Sequence, residues 1–324
     1  MKTDSYFKTI TYIAVVLFFN ACMEKEIPVL KHSSGDVTTA TINMNIDYRY
    51  QVYYDLSTNT IVGQNLKIAW DLGFETTPAG WHIILNSAKA MYAFNTGKSD
   101  FMAVTDTIGL SLGKKFDAPT GSLDSTGVGD WQKSNSVYII DRGFNEAGIH
   151  QGFRKIMVLS VDNEKYTVKY AQLNGNAETT LHIPKDTTYN FSFLSFTTDS
   201  TLIIEPPKAA WDVVFTQYLE ALSEPYLVCG CVLNRYNTFS AMDSSAAFES
   251  ITMNTIQSKM LLPEINTIGY SWKEYSFSTS QYEVFPQMNY LIKDNEGFYY
   301  KLHFIDFYDQ SGNKGNPTWE YQKL

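Results

Sequence analysis

The chain has 324 residues, with 34 Asp and Glu against 25 Lys and Arg and a formal net charge of −9. No basic stripe is present, which excludes a nucleic-acid partner, because that binding rests on clustered Lys and Arg that release counterions. A polybasic lipid-binding role is excluded on the same ground.

The first residues read as an address. Lys2 and Lys8 precede an apolar run from Ile10 to Phe19, followed by Asn20, Ala21 and Cys22. The run is shorter than the roughly 20 apolar residues a bilayer span needs, and it has the layout of a secretory signal peptide with a small residue before the cut. A Cys directly after that residue resembles the lipobox of bacterial lipoproteins, so residues 1–21 are expected to be removed and Cys22 acylated. Residues 22–40, with Pro28, Ser33, Ser34 and Gly35, read as a tether. Met23, Glu24, Lys25 and Glu26 resemble the surface-export signals of some Gram-negative lipoproteins. The membrane is therefore reached by a lipid anchor only, each buried CH₂ contributing about 0.8 kcal/mol.

Short strands follow. Ile42 to Leu56 alternates, with Tyr48, Tyr50 and Val52 on one face, and Ser57 to Asn59 makes a turn. Ala69 to Phe74 is a strand broken by the segment from Thr76 to Gly80, and Trp81–Leu85 and Met91–Phe94 are expected to form a hairpin. Residues 109–136 are rich in Gly, Ser, Asp and Thr and read as a long, functional loop. Tyr138 to Ile140 and a hairpin of Phe153–Val161 with Tyr166–Leu173 close the first half.

The second half repeats the first. Ala210, Trp211, Asp212 and Phe215 match Ala69, Trp70, Asp71 and Phe74 at a spacing of 141, and Tyr189, Phe191 and Phe193 match Tyr48, Tyr50 and Val52. Two modules of one kind are expected, 41–186 and 187–324. Alternation puts Trp211, Val213 and Phe215 on one strand face. The Asp beside each Trp has no His or second carboxylate next to it, so Asp71 and Asp212 are read as structural, bonding nearby backbone N–H groups. Ser244 to Met260 suggests a short helix with Phe248, Ile251, Thr252 and Thr255 on one face, ended by Pro263. Cys229 and Cys231 flank Gly230; in a strand they lie too far apart for an unstrained disulfide and read as small core residues. No zinc-protease, Walker or nucleophile-elbow motif occurs, and no enzyme chemistry is expected.

A lipobox Cys22, the Trp-Asp strand at 211–215, the run YLIKDNEGFYYKLHF at 290–304 and GNPTWEY at 315–321 together resemble the HmuY family, haem-binding lipoproteins of Bacteroidetes. Residues 187–324 carry the resemblance best. It implies an all-β fold, here as two tandem HmuY-like β-sandwich modules with long loops. It also implies a haemophore at the cell surface that takes haem or a porphyrin and passes it to an outer-membrane haem receptor. The family holds iron between two His or Met side chains on loops after the Trp-Asp strand, ligands that suit haem iron. Residues 217–287 contain no His, which leaves Met242, Met253 and Met260; in the first half, His82 and His150 are the candidates. A glycan- or protein-binding lipoprotein on the same fold is the alternative, with Trp81, Trp131 and Trp272 as a stacking platform. A third reading makes one module a spacer without a pocket.

Overall fold

A computed structural model describes residues 34–220 and 226–324. In chain order come β1 (Thr38–Thr41), β2 (Tyr50–Asp55), β3 (Thr60–Leu66), β4 (Leu72–Glu75), β5 (Ile83–Leu85), β6 (Tyr92–Asn95), β7 (Tyr138–Asp141), β8 (Phe153–Val161) and β9 (Lys165–Ala171). Then follow β10 (Thr179–Pro184), β11 (Phe191–Ser195), β12 (Ser200–Leu202), β13 (Val213–Leu219), β14 (Leu227–Leu233) and β15 (Phe239–Asp243). The short helix α1 (Met253–Gln257) leads to β16 (Lys273–Ser276), β17 (Gln281–Val284), β18 (Asn289–Lys293), β19 (Tyr299–Tyr308) and β20 (Lys314–Lys323). The protein is all-β, as its alternation and turn chemistry require.

Two antiparallel sandwiches result. One packs the five-stranded sheet β1-β20-β19-β18-β15 on the four-stranded sheet β14-β13-β2-β3. Its core holds Val52, Tyr54, Val213, Phe215, Phe304 and Trp319, among others. The other packs β10-β9-β8-β7-β6 on β12-β11-β4-β5, around Leu72, Phe74, Ile140, Tyr166, Leu194 and Phe196. Burying one such large side chain contributes about 1.5–3 kcal/mol, so each core is a substantial driving force.

The pairing crosses positions 186 and 187. β2 lies against β13, with Val213 opposite Tyr54 and Phe215 opposite Val52. β11 lies against β4, with Leu194 opposite Leu72. Each Trp-Asp strand thus takes one of its two neighbours from the other half of the sequence.

Three local expectations change. β5 pairs with β4 and β6 with β7, so Ile83–Leu85 and Tyr92–Asn95 are not hairpin partners; Asn86 caps a turn that carries the chain from one sheet to the other. Trp211 does not share a face with Val213 and Phe215. The strand begins only at Val213, and Trp211 packs outside the core with Tyr53 and Val214. The expected helix shrinks to a 3₁₀ turn at Phe248–Ser250 and the five residues of α1, whose first turn is closed by Thr252 and Thr255. Cys229 and Cys231 are buried and unbridged, as read from their spacing.

Candidate functional site

β15 is bound to β18 on one side, with Met242 opposite Tyr290. On its other side the chain returns from α1, and Ser240 and Leu262 exchange both backbone hydrogen bonds at 3.0 and 2.8 Å. Beyond that isolated bridge the two segments are held together by the ion pair of Lys259 Nζ with Asp243 Oδ2, 2.9 Å, which leaves Met242 and Met260 beside the paired residues. The Ser245 hydroxyl, then Lys259, holds the Asp243 carboxyl down to about 2, so this clip stays charged at neutral pH. Met242 is 49% exposed and Met260 81%. Two thioethers therefore stand on one ledge at the edge of a sheet.

Met253 takes another direction. It opens α1 and packs beside Ile251, Ile256 and Leu291. The approach to α1 is fixed from below by buried Lys301 on β19, whose Nζ donates to the carbonyls of Phe248 (2.7 Å) and Ile251 (3.1 Å). Lys155 on β8 does the same for Phe101 and Val104, at 3.0 and 2.9 Å. These lysines were not singled out from the sequence. Each lies on the strand face away from the sandwich core, Lys155 beside Ile156 and Lys301 between Tyr300 and Leu302, where alternation reads a lysine as surface charge.

The histidines do not converge. His82 Nδ1 lies 2.5 Å from Glu75 Oε2, its ring stacks on Trp81, and its Nε2 is enclosed without a partner among the described residues. Burial raises the Glu75 carboxyl, but bonds from Thr77 and His82 outweigh it and leave a net lowering. His150 Nε2 meets Asp141 at 2.8 Å between the rings of Phe144 and Phe153. His303 stacks on Phe248, and His182 contacts Thr167. Among the described residues no group of three or more His, Cys, Asp and Glu is placed to hold a metal ion.

The Trp-Asp motif serves the fold. Trp70 and Trp211 are both buried. Asn86 donates to the carbonyls of Lys67 (2.7 Å) and Trp70 (2.8 Å), and Asn234 donates to those of Lys208 (2.7 Å) and Trp211 (2.6 Å). Asp71 takes ion pairs from Lys89 at 2.5 Å and Arg142 at 3.2 Å. Asp212 has Asn295 instead, at 2.9 Å. With burial and nearby Asp294 opposing its charge, the Asp212 carboxyl is pushed up to about 7.

Among the hollows of the described residues, two bear on the site. One of about 140 Å³ lies between the two four-stranded sheets, under Trp70 and Trp211. A cleft of about 510 Å³ opens beside β14 and the β16–β17 hairpin, with Lys273 in its wall. Neither is lined by Met242, Met253, Met260, His82 or His150. Trp131 and Trp272 are buried and Trp81 is stacked on His82, so these three rings form no sugar platform. Among the described residues no helix is long and apolar enough to cross a membrane.

No curated protein matches the chain. Among solved structures, it is similar to apo PinO from Porphyromonas gingivitis at 11% identity, covering 89% of this chain and 97% of that one, with a TM-score of 0.25. It is also similar to the apo HmuY analog of Tannerella forsythia at 11% identity, covering 90% and 99%, with a TM-score of 0.26. The profile of the HmuY protein family matches residues 47–321 in one span that runs through the junction of the two halves. By that match the chain belongs to the HmuY family.

Proposed function

We propose that the protein is a surface lipoprotein, anchored through Cys22, that binds haem or a related porphyrin for delivery to an outer-membrane receptor. Membership of the HmuY family supports the ligand class. The observation that carries the site is the ledge: Met242 and Met260, 18 positions apart in sequence, stand on neighbouring segments with both side chains open to solvent. Thioether sulfur is a haem-iron ligand, and two of them on one rigid edge would close the iron to other chemistry. The chain's own contribution is to orient the pair, through the Ser240–Leu262 bridge and the Asp243–Lys259 clip. His82 and Met253 are held inside their own packing, and His150 is held to Asp141 and lies on the other sandwich.

Thioethers favour the ferrous state, so affinity is expected to rise on reduction. The test is a titration of haemin against wild type, Met242→Ala, Met260→Ala and His82→Ala, with and without dithionite. Loss of the sharpened Soret band in both Met variants supports the ledge. An unchanged spectrum in both, or a loss confined to His82→Ala, overturns it.

A further inference from the structure

The 510 Å³ cleft has a cationic base that the haem reading does not use. Its walls are aromatic, formed by Tyr48, Tyr226, Tyr270, Tyr275, Tyr282 and Phe285, and its size lies within the range of small-molecule sites. Lys273 is placed there by a close backbone approach. Cys231 and Gly269 exchange two hydrogen bonds of 2.9 Å, and a side chain at Gly230 would put its Cβ 2.4 Å from the Gly269 carbonyl oxygen. The chain from Gly269 to Lys273 can therefore run tight against β14.

Lys273 is 5% exposed, and its Nζ sits over Trp272 at 4.0 Å and Phe307 at 4.7 Å. It donates to the Cys229 carbonyl at 2.6 Å. Lys155 and Lys301, the other lysines in comparable settings, each satisfy two carbonyls; Lys273 satisfies one. An ammonium has three donors, and a buried charge without a counter-charge is costly.

A second buried lysine adds to the imbalance. Lys67 donates to the side chain of Gln217, itself a wall residue, and Lys67, Lys273 and Lys314 all bear on Cys229. Among the described residues none of these three makes an ion pair with a carboxylate. Glu274, the acid in the wall, is exposed. Asp47 and Glu146 bear on Lys67, but no carboxylate faces Lys273, and its buried ammonium beneath flat aromatic walls fits a flat anion.

We propose that this cleft binds a planar aromatic carboxylate, its ring between the tyrosines and its carboxylate on the Lys273 ammonium. The site is separate from the methionine ledge and does not rest on haem binding. The aromatic walls supply dispersion and stacking, and the charge-assisted hydrogen bond supplies the selectivity for an acid.

The probe is 2-naphthoate, compared with its uncharged methyl ester, titrated into the full chain by fluorescence. Wild type is expected to bind the acid at least tenfold more tightly than the ester. Lys273→Met is expected to erase that preference while leaving ester binding unchanged, with thermal unfolding confirming the fold. Tyr275→Ala, a change at an exposed wall position, should weaken acid and ester together. Met242→Ala and Met260→Ala should leave naphthoate binding as in wild type, so the two sites fail or stand separately. Equal affinity for acid and ester in wild type overturns the proposal, as does undiminished acid binding by Lys273→Met.

Discussion

Asp71 and Asp212 hold each other's half of the sequence: Asp71 accepts the backbone N–H of Phe196 at 2.7 Å, and Asp212 accepts that of Leu56 at 2.9 Å. The backbone repeats the exchange, since the Asp71 N–H reaches the Leu194 carbonyl at 2.8 Å and the Asp212 N–H reaches that of Tyr54 at 2.9 Å. Each carboxylate caps the hairpin that crosses over from the other half. This reciprocity supports the proposal that 41–186 and 187–324 derive from one unit.

The two carboxylates differ in what removal costs. Asp71 neutralises buried Lys89 and Arg142. Asp71→Asn leaves both cations without their acid and is expected to cost about 3–5 kcal/mol. Denaturant unfolding of the variant against wild type measures it; a loss below 1 kcal/mol would count against the ion pairs holding this junction.

Asp212 makes stability depend on pH. Its folded carboxyl is held up to about 7, against an ordinary value of 3.8. Between about pH 4 and 7 the folded state therefore binds more protons than the unfolded one, and stability falls as pH rises. Asp212→Asn should flatten that fall. Glu205, also pushed up to about 7 by burial, keeps part of the slope. Unfolding midpoints at pH 4.5, 6 and 7.5 decide the point, and parallel curves for variant and wild type would refute it.

Lys301 supports the approach to α1 from beneath. Lys301→Met leaves the carbonyls of Phe248 and Ile251 without their donor, at a cost of about 1–3 kcal/mol. The loss should be local, read as faster amide exchange over residues 248–257, with β8 and β9 unaffected.

Cys22 lies outside the described residues, and the lipid anchor rests on the sequence. Replacing Cys22 by Ser should block acylation and move the protein from the membrane to the soluble fraction. Identical fractionation of variant and wild type would remove the anchor.

Much of the architecture was legible because alternation is local. The turn at Asp162–Lys165, the hairpin of β8 with β9, and the burial of Trp70 and Trp211 can all be read within a few residues. Partner choice is not local. Nothing near Tyr54 announces Val213 as its neighbour, because either half offers the same Trp-Asp pattern and the exchange is decided by packing across the whole chain. The Met242–Met260 pair was legible as residue types on irregular chain; their nearness needed the Ser240–Leu262 bridge and the Asp243–Lys259 ion pair. Lys273 was missed because a lysine beside Trp272 and Glu274 reads as surface charge until the cleft beside it is seen.

The exchange of hairpins sets an order of assembly. Residues 72–202 contain every strand of one sandwich, so that half can close as soon as it has been synthesised or exported. β1 has no partner until β20 exists, and β2 has none beyond its own hairpin until β13 does. The earliest-made strands thus wait with open edges for the last ones, and such edges are where another chain can pair. For this protein, the hazard of misassembly is concentrated in residues 38–66 and ends only when the C-terminal strand arrives.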